Sequence, residues 1–85
     1  LDGRADVYAL AGAIYNVTTG RTFFDEIENP RDRIFAHLQR LPLEDPSLLD
    51  GYPAELVKLM RAATALDPKD RPYPMEFGRA FEAAL

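Results

Sequence analysis

There is no cysteine among these 85 residues. That excludes disulfide frameworks, thiolate metal sites and cysteine nucleophiles while leaving the redox compartment undetermined, a reducing cytoplasm being allowed; the location expected is cytoplasmic. A surplus of positive charge is lacking too. Ten Lys and Arg against fourteen Asp and Glu leave a net charge of −4, which opposes attraction to phosphate backbones, and no nucleic acid is expected as a partner. No hydrophobic run is long: the richest apolar stretch, from Val7 to Val17, falls well short of the ~20 residues that a membrane span needs, so no membrane contact is expected from this segment. Leu1-Asp2-Gly3-Arg4 has no signal-peptide pattern, and the chain runs straight into a helix and stops at Leu85 still in helical register, as an excised segment would. Convincing strand patterns, low-complexity tracts and internal repeats are absent as well.

What is present is the balance of a globular chain, with 47% hydrophobic and 28% charged residues. The pattern predicts an all-α fold of four helices over about 4–19, 30–41, 54–66 and 74–85, in one unit spanning 1–85. In the first helix Val7, Tyr8, Ala9, Leu10, Ala11, Ala13, Ile14, Tyr15 and Val17 point in nearly every direction, which predicts a central helix buried on all sides. Gly12 within it predicts a close backbone approach, and Thr19-Gly20-Arg21 supplies a glycine stop. Asn29-Pro30 is a cap followed by proline at the first helical position. The helix it opens gathers Ile34, Phe35, Leu38 and Leu41 on one face, with Arg31, Arg33, His37 and Arg40 mostly elsewhere. Pro42 ends it, and a loop follows in which Leu48, Leu49 and Tyr52 are expected to fold onto the core. The third helix carries the stripe Leu56, Leu59, Met60, Ala63 and Leu66 before the Asp67-Pro68 break, and Pro74 opens a last helix with Met75, Phe77, Ala80, Phe81, Ala84 and Leu85 on its buried side.

Two sets of landmarks carry a resemblance. Arg4-Ala5-Asp6-Val7-Tyr8-Ala9-Leu10, followed by Ile14-Tyr15 and by Thr19-Gly20-Arg21 with Phe24, resembles the central helix of protein-kinase domains and the loop after it. About fifty residues on, Leu66-Asp67-Pro68-Lys69-Asp70-Arg71-Pro72, between two amphipathic helices, resembles the turn before the last helix of the same large lobe. The order and spacing of these landmarks are similar to helices F to I of the carboxy-terminal lobe, closest in style to bacterial Ser/Thr kinases, over essentially the whole chain. The resemblance implies that Asp6 accepts backbone hydrogen bonds from the catalytic loop, a supporting and not a catalytic role. Asp6 read alone is an acid in a first helical turn, favoured by the helix dipole. It implies likewise that Arg71 pairs with the glutamate of the Ala-Pro-Glu motif, which would lie just before Leu1; read alone, Arg71 bridges Asp67 or Asp70, worth about 0.5 kcal/mol if exposed. Three features depart from the family pattern: Ala11 where glycine is usual, Thr22-Phe23 for a proline-containing turn, and Asn16 where an acid is common. An active and a pseudokinase parent both fit.

Phosphoryl transfer by a kinase requires a glycine-rich loop, a lysine-glutamate pair, a catalytic aspartate and metal-binding Asn and Asp. No such motif occurs here, so no catalytic residue, cofactor or metal is assigned to this chain, ATP and magnesium being expected of an intact parent. Glu76-Phe77-Gly78 resembles the metal-binding Asp-Phe-Gly triplet, but its Phe77 shares an apolar stripe with Phe81 and reads as core. His37 and Ser47 lack an orienting acid for hydrolase chemistry, and the acids Asp25, Glu26, Glu28, Glu44 and Asp45 read as solvated loops.

Two functional readings follow. One is the helical base of a Ser/Thr kinase, partnered by the rest of its lobe; the resemblance adds that Arg31, Arg33, Phe35, His37 and Arg40 dock a protein substrate or regulator. The other is a stand-alone interaction module derived from a kinase or pseudokinase, with an unrelated four-helix adaptor as a third. With part of its surroundings missing, the first helix is expected to leave Tyr8, Ile14, Tyr15 or their neighbours exposed, and the isolated chain to self-associate.

Overall fold

The computed structural model describes residues 3–85; Leu1 and Asp2, read above as leading straight into the first helix, lie outside the described residues. Four α-helices follow in order: α1 over Arg4–Thr19, α2 over Pro30–Gln39, α3 over Ala54–Ala63 and α4 over Pro74–Ala84. Short 3-10 turns at Pro46–Leu49 and Pro68–Asp70 break the connections before α3 and α4. There is no strand among the described residues, and the expected all-α class with four helices is what the chain forms.

Local chemistry sets the helix ends. Asn29 accepts from the backbone N–H of Arg31 at 2.9 Å, satisfying a donor that the first turn of α2 leaves unpaired, and Pro30 occupies the first helical position where it has no N–H to lose. Asp45 and Asp67 open the two 3-10 turns in the same way, accepting from Ser47 N–H at 2.9 Å and Lys69 N–H at 3.0 Å. Gly20 closes α1 in the left-handed conformation, its N–H donating to the Asn16 carbonyl at 2.8 Å. Gly3, also left-handed at φ 83°, stands so close to α4 that a Cβ would meet the Pro74 ring at 2.7 Å. Helices α2 and α3 end at Gln39 and Ala63, one turn or less before the expected boundaries at 41 and 66.

The core joins Val7, Ala11 and Tyr15 of α1 to Leu56, Leu59, Met60 and Ala63 of α3 and to Phe77 of α4. Phe23, Phe24, Leu43 and Leu49 from the connections complete it. Leu48 and Tyr52 pack against its edge as expected of that loop. Tyr52 is further tied to α1 by a hydrogen bond between its hydroxyl and that of Thr18. Helix α1 packs on both α3 and α4, whereas α2 packs extensively on none of the other helices. That arrangement differs from an up-down bundle, in which sequence neighbours pair along their length.

Two expectations need correction here. Helix α1 is central to the core but not covered on every side: Val7 is wholly buried, whereas Val17 is 84% and Leu10 46% exposed, along with Ala5, Asp6, Ala9 and Ala13. Tyr15 is buried, and Tyr8 and Ile14 are half-buried, so the apolar patch lies on their neighbours. The reason is geometric. The molecule measures 37 × 33 × 18 Å, and a slab 18 Å thick holds fewer than two full layers of helices about 10–12 Å wide. Gly12 is the second correction. A Cβ there would meet the Phe23 ring at 3.5 Å, ordinary contact, so no close backbone approach requires glycine.

The one-sided burial of α1 is testable by urea unfolding. Val7→Ala is expected to cost about 2 kcal/mol through lost burial and a residual cavity, whereas Val17→Ala is expected to stay within about 0.5 kcal/mol of the parent. Equal losses at the two sites would contradict the arrangement described.

Candidate functional site

Three regions hold the residues singled out from the sequence. Asp6 sits in the first turn of α1, on its exposed flank, between Ala5, Ala9 and Leu10. Its carboxylate has no hydrogen-bond or ion-pair partner among the described residues. Arg71 lies on the other side of the same helix end. The two are therefore not brought together, consistent with Asp6 and Arg4 standing about 200° apart on the helical wheel.

Arg71 follows the second 3-10 turn, and its guanidinium serves four places at once, one of them the Leu66 carbonyl, to which Nη2 donates at 3.5 Å. Nε donates to the Ala65 carbonyl at 2.8 Å, Nη1 to the Arg4 carbonyl at 3.4 Å, and the plane lies 4.9 Å from the centre of the Tyr8 ring. Arg4 reciprocates, donating through Nη1 to the Lys69 carbonyl at 3.2 Å and lying over the Tyr73 ring at 4.7 Å. The local bridge from Arg71 to Asp67 or Asp70 is not formed. Carbonyls just past the end of α3 lack helical donors, and a half-buried guanidinium fork satisfies them better than it would a solvated carboxylate. Asp67 is occupied in its own turn.

The face of α2 reverses the expected one. Ile34 and Leu38 are 61% and 69% exposed, and Phe35 and Leu41 stand nearly half out in solvent, although the apolar stripe reads as the buried side. Ala36 is the one residue of α2 that is fully buried. The helix is seated instead through its cationic side. Arg33 donates twice to the Ile27 carbonyl, at 3.0 and 2.6 Å, and Arg40 lies 5.2 Å over the Phe24 ring. His37 points inward, its Nδ1 2.8 Å from the Tyr8 hydroxyl and its ring edge-on to Phe24 and Tyr8 at 5.0 and 5.8 Å. Of the docking set Arg31, Arg33, Phe35, His37 and Arg40, the structure leaves Arg31, Phe35 and Arg40 exposed and turns Arg33 and His37 toward the core.

This seat perturbs both partners of the α1–α2 bond. Burial raises the Tyr8 hydroxyl above its usual value, with nearby Arg71 opposing, and burial together with the Arg33 charge lowers the His37 imidazole below its own. Tyr8 and Phe24 are thus the neighbours of His37 that sequence reasoning missed. Phe24 adopts a left-handed backbone at φ 59° while its side chain is buried, a conformation uncommon for a non-glycine residue, and no composition or periodicity announces it.

Other candidates resolve into local structure. Ser47 Oγ donates to Asp45 at 2.8 Å while His37 is held by Tyr8, so serine and histidine belong to separate networks. Asp45 is held below the usual carboxylate range by those Ser47 bonds, and Asp25 by its bidentate pairing with Arg21 at 2.9 and 3.1 Å. Glu76 accepts from the Tyr73 N–H at 3.0 Å and Phe77 is buried, so the Glu-Phe-Gly triplet caps and packs α4. No cluster of three or more His, Asp or Glu among the described residues is arranged to hold a metal ion. No helix among the described residues is long and apolar enough to cross a membrane.

Over all of its length the chain is similar to Serine/threonine-protein kinase Pkn1 of Myxococcus xanthus, with 37% identity across 86 aligned positions. The chain spans 12% of that relative's length. No family model matches it, and no solved structure matches it significantly. The resemblance to a bacterial Ser/Thr kinase lobe, read from Arg4–Leu10 and Leu66–Pro72, is thus found again across the whole chain.

The clamp between the start of α1 and the end of α3 makes its own prediction. Arg71→Ala is expected to lower stability by about 1–3 kcal/mol, since two buried-side carbonyls lose a charged donor. Arg71→Lys, which keeps the charge but not the fork, is expected to restore less than half of that. Full rescue by lysine in urea unfolding would show that charge and not geometry matters.

Proposed function

We propose that this chain is the helical base of the large lobe of a Ser/Thr protein kinase, a scaffold that carries none of the ATP-handling residues itself. One observation carries the reading: the uncovered flank of α1 is mostly apolar, with Asn16 toward its far end, and holds an unpartnered carboxylate in its first turn. Ala5, Ala9 and Leu10 neighbour Asp6 there, and Ala13 and Val17 continue the same face toward the end of α1. Burying apolar surface is favourable, but burying a lone carboxylate is costly unless hydrogen-bond donors meet it. The cover that fits is therefore polypeptide offering backbone N–H groups at Asp6, the relation that the kinase catalytic loop would have to this helix. Whole-length similarity to a Ser/Thr kinase of which this chain matches 12% supports the same reading. In an intact kinase, the rest of the lobe would supply ATP, magnesium and the transfer chemistry.

A second reading, a stand-alone protein-interaction module, is favoured by one feature. Ile34, Phe35 and Leu38 of α2 are exposed beside Arg31, a surface suited to docking a protein substrate or regulator. Both readings have this surface in common, and they differ in whether anything covers Asp6.

Association and function separate them. Sedimentation of the 85-residue chain is expected to show a dimer or larger assembly at high micromolar concentration, and Leu10→Glu with Val17→Glu is expected to return it to monomer. A wild-type monomer would count against an exposed flank that needs cover. In a kinase chain containing this segment, Asp6→Asn is expected to lower kcat by on the order of a hundredfold through misplacement of the catalytic loop, while changing the stability of the isolated segment by less than about 0.5 kcal/mol. Undiminished activity would refute the anchoring role of Asp6. Saturable micromolar ATP binding to these 85 residues would overturn the scaffold reading.

A further inference from the structure

Helix α2 is held to the rest of the molecule by few groups, and one of them is an imidazole. We propose that His37 makes the seating of α2 on α1 sensitive to mild acid: the neutral imidazole keeps the helix docked on Tyr8, and protonation releases it.

The geometry carries this. The His37–Tyr8 contact at 2.8 Å is the one side-chain hydrogen bond between α1 and α2 among the described residues. With the imidazole proton on Nε2, Tyr8 donates its hydroxyl hydrogen to Nδ1. Protonation does not erase that bond but reverses it, because Nδ1 must then donate and the Tyr8 hydrogen must turn elsewhere. What changes is the charge. From its own helix His37 faces Arg33, which acts on it electrostatically. From α1 it faces Tyr8, whose ring already carries the Arg71 guanidinium at 4.9 Å. From the connection before α2 it faces Phe24, whose ring carries Arg40 at 5.2 Å. An imidazolium thus enters a site where Arg33 opposes its charge, between two rings that each already carry a guanidinium, with no carboxylate among the groups that act on it.

Burial and the Arg33 charge both depress the His37 imidazole below its ordinary 6.5. A basic group depressed on folding stabilises the folded arrangement fully above its unfolded value, and that stabilisation falls away as pH drops below about 6.5. Apolar anchorage cannot compensate, because Ile34 and Leu38 face solvent and Ala36 is the one fully buried residue of α2. The arrangement of the Ile34–Phe35–Leu38 surface would therefore change with pH, whichever partner it meets.

Amide hydrogen exchange on the 85-residue chain tests this. Protection of α2 residues 34–39 would be compared with α3 residues 57–63 at pH 7.5 and 5.5, after correction for intrinsic rates. The expected result is a severalfold loss confined to α2, bounded by about tenfold because a released imidazole of ordinary affinity takes up only part of its proton between pH 7.5 and 5.5. In His37→Gln, which keeps a neutral hydrogen-bonding group, the ratio is expected to be flat. Unchanged α2 protection in the parent, or the same loss in His37→Gln, would overturn the proposal. If His37→Gln leaves α2 unprotected even at pH 7.5, the NMR titration of His37 in the parent decides. A midpoint below 6.5 with α2 amide shifts moving in step supports it, and a midpoint at or above 6.5, or static α2 shifts, refutes it.

Discussion

Burial of one stripe of α1 against α3 and α4 is the constraint on which the other features of the fold depend. Val7 and Ala11 are wholly buried in it, as are Met60 and Ala63 opposite, and with so few residues there is no second layer to cover the helix from behind. A helix apolar all round its circumference is usual in the middle of a larger core. Here that circumference is divided: one half is satisfied within the chain, and the other half presents Leu10, Ala13 and Val17 to solvent. The Arg71 and Arg4 guanidiniums lock the satisfied half by exchanging carbonyl bonds between the first turn of α1 and the turn before α4. They do so with donors that the open carbonyl ends of α3 would otherwise lack.

Helix α2 obeys a different logic. Amphipathic helices dock through the apolar stripe because about 25 cal/mol is gained per Å² buried, yet α2 leaves that stripe outside and docks through arginine, histidine and aromatic rings. The entry loop explains how. Phe24 in its left-handed conformation places a buried ring under Arg40 and against His37. Arg33 then closes onto the Ile27 carbonyl of the same loop. Those contacts fix the rotation of the helix about its own axis, and the apolar residues point wherever that rotation sends them. A helix oriented by polar and ring contacts is oriented by groups whose strength varies with ionisation, unlike one oriented by packed leucines.

Much of this was legible in the residues and some was not, for reasons that differ by element. Helix starts at Asn29-Pro30 and Pro74, and the glycine stop at Gly20, follow from local chemistry that acts within a few residues. The stripes of α3 and α4 follow from periodicity only where a neighbour covers them: Leu59 and Phe77 are buried, whereas Leu66, Met75 and Leu85, read as part of the same stripes, are 43%, 70% and 82% exposed, and Ala80 is exposed as well. Periodicity describes a face but not what lies against it, and for that reason Ile34 and Leu38 read as core when they are not. Arg71 was recognisable as a special position, but its acceptors are backbone carbonyls, which carry no sequence signature. The His37–Tyr8 pair joins residues 29 positions apart, and nothing local to either one points to the other.

The two exposed apolar surfaces place different demands on whatever meets them. The α1 flank encloses a carboxylate, so a purely apolar cover would strand a charge, and a flat docking partner would do so as surely as a lipid would. That surface calls for a tightly folded neighbour with donors aimed at Asp6. The α2 face encloses no unsatisfied group: Arg31 stands beside it in solvent, and Arg33 and His37 are already engaged on the inner side. A partner can cover it and leave it again without uncovering a buried polar group, because its ring-and-guanidinium seat lies beneath the helix. The two surfaces thus differ in the polarity at their centres: a carboxylate without a partner among the described residues on α1, and none on α2.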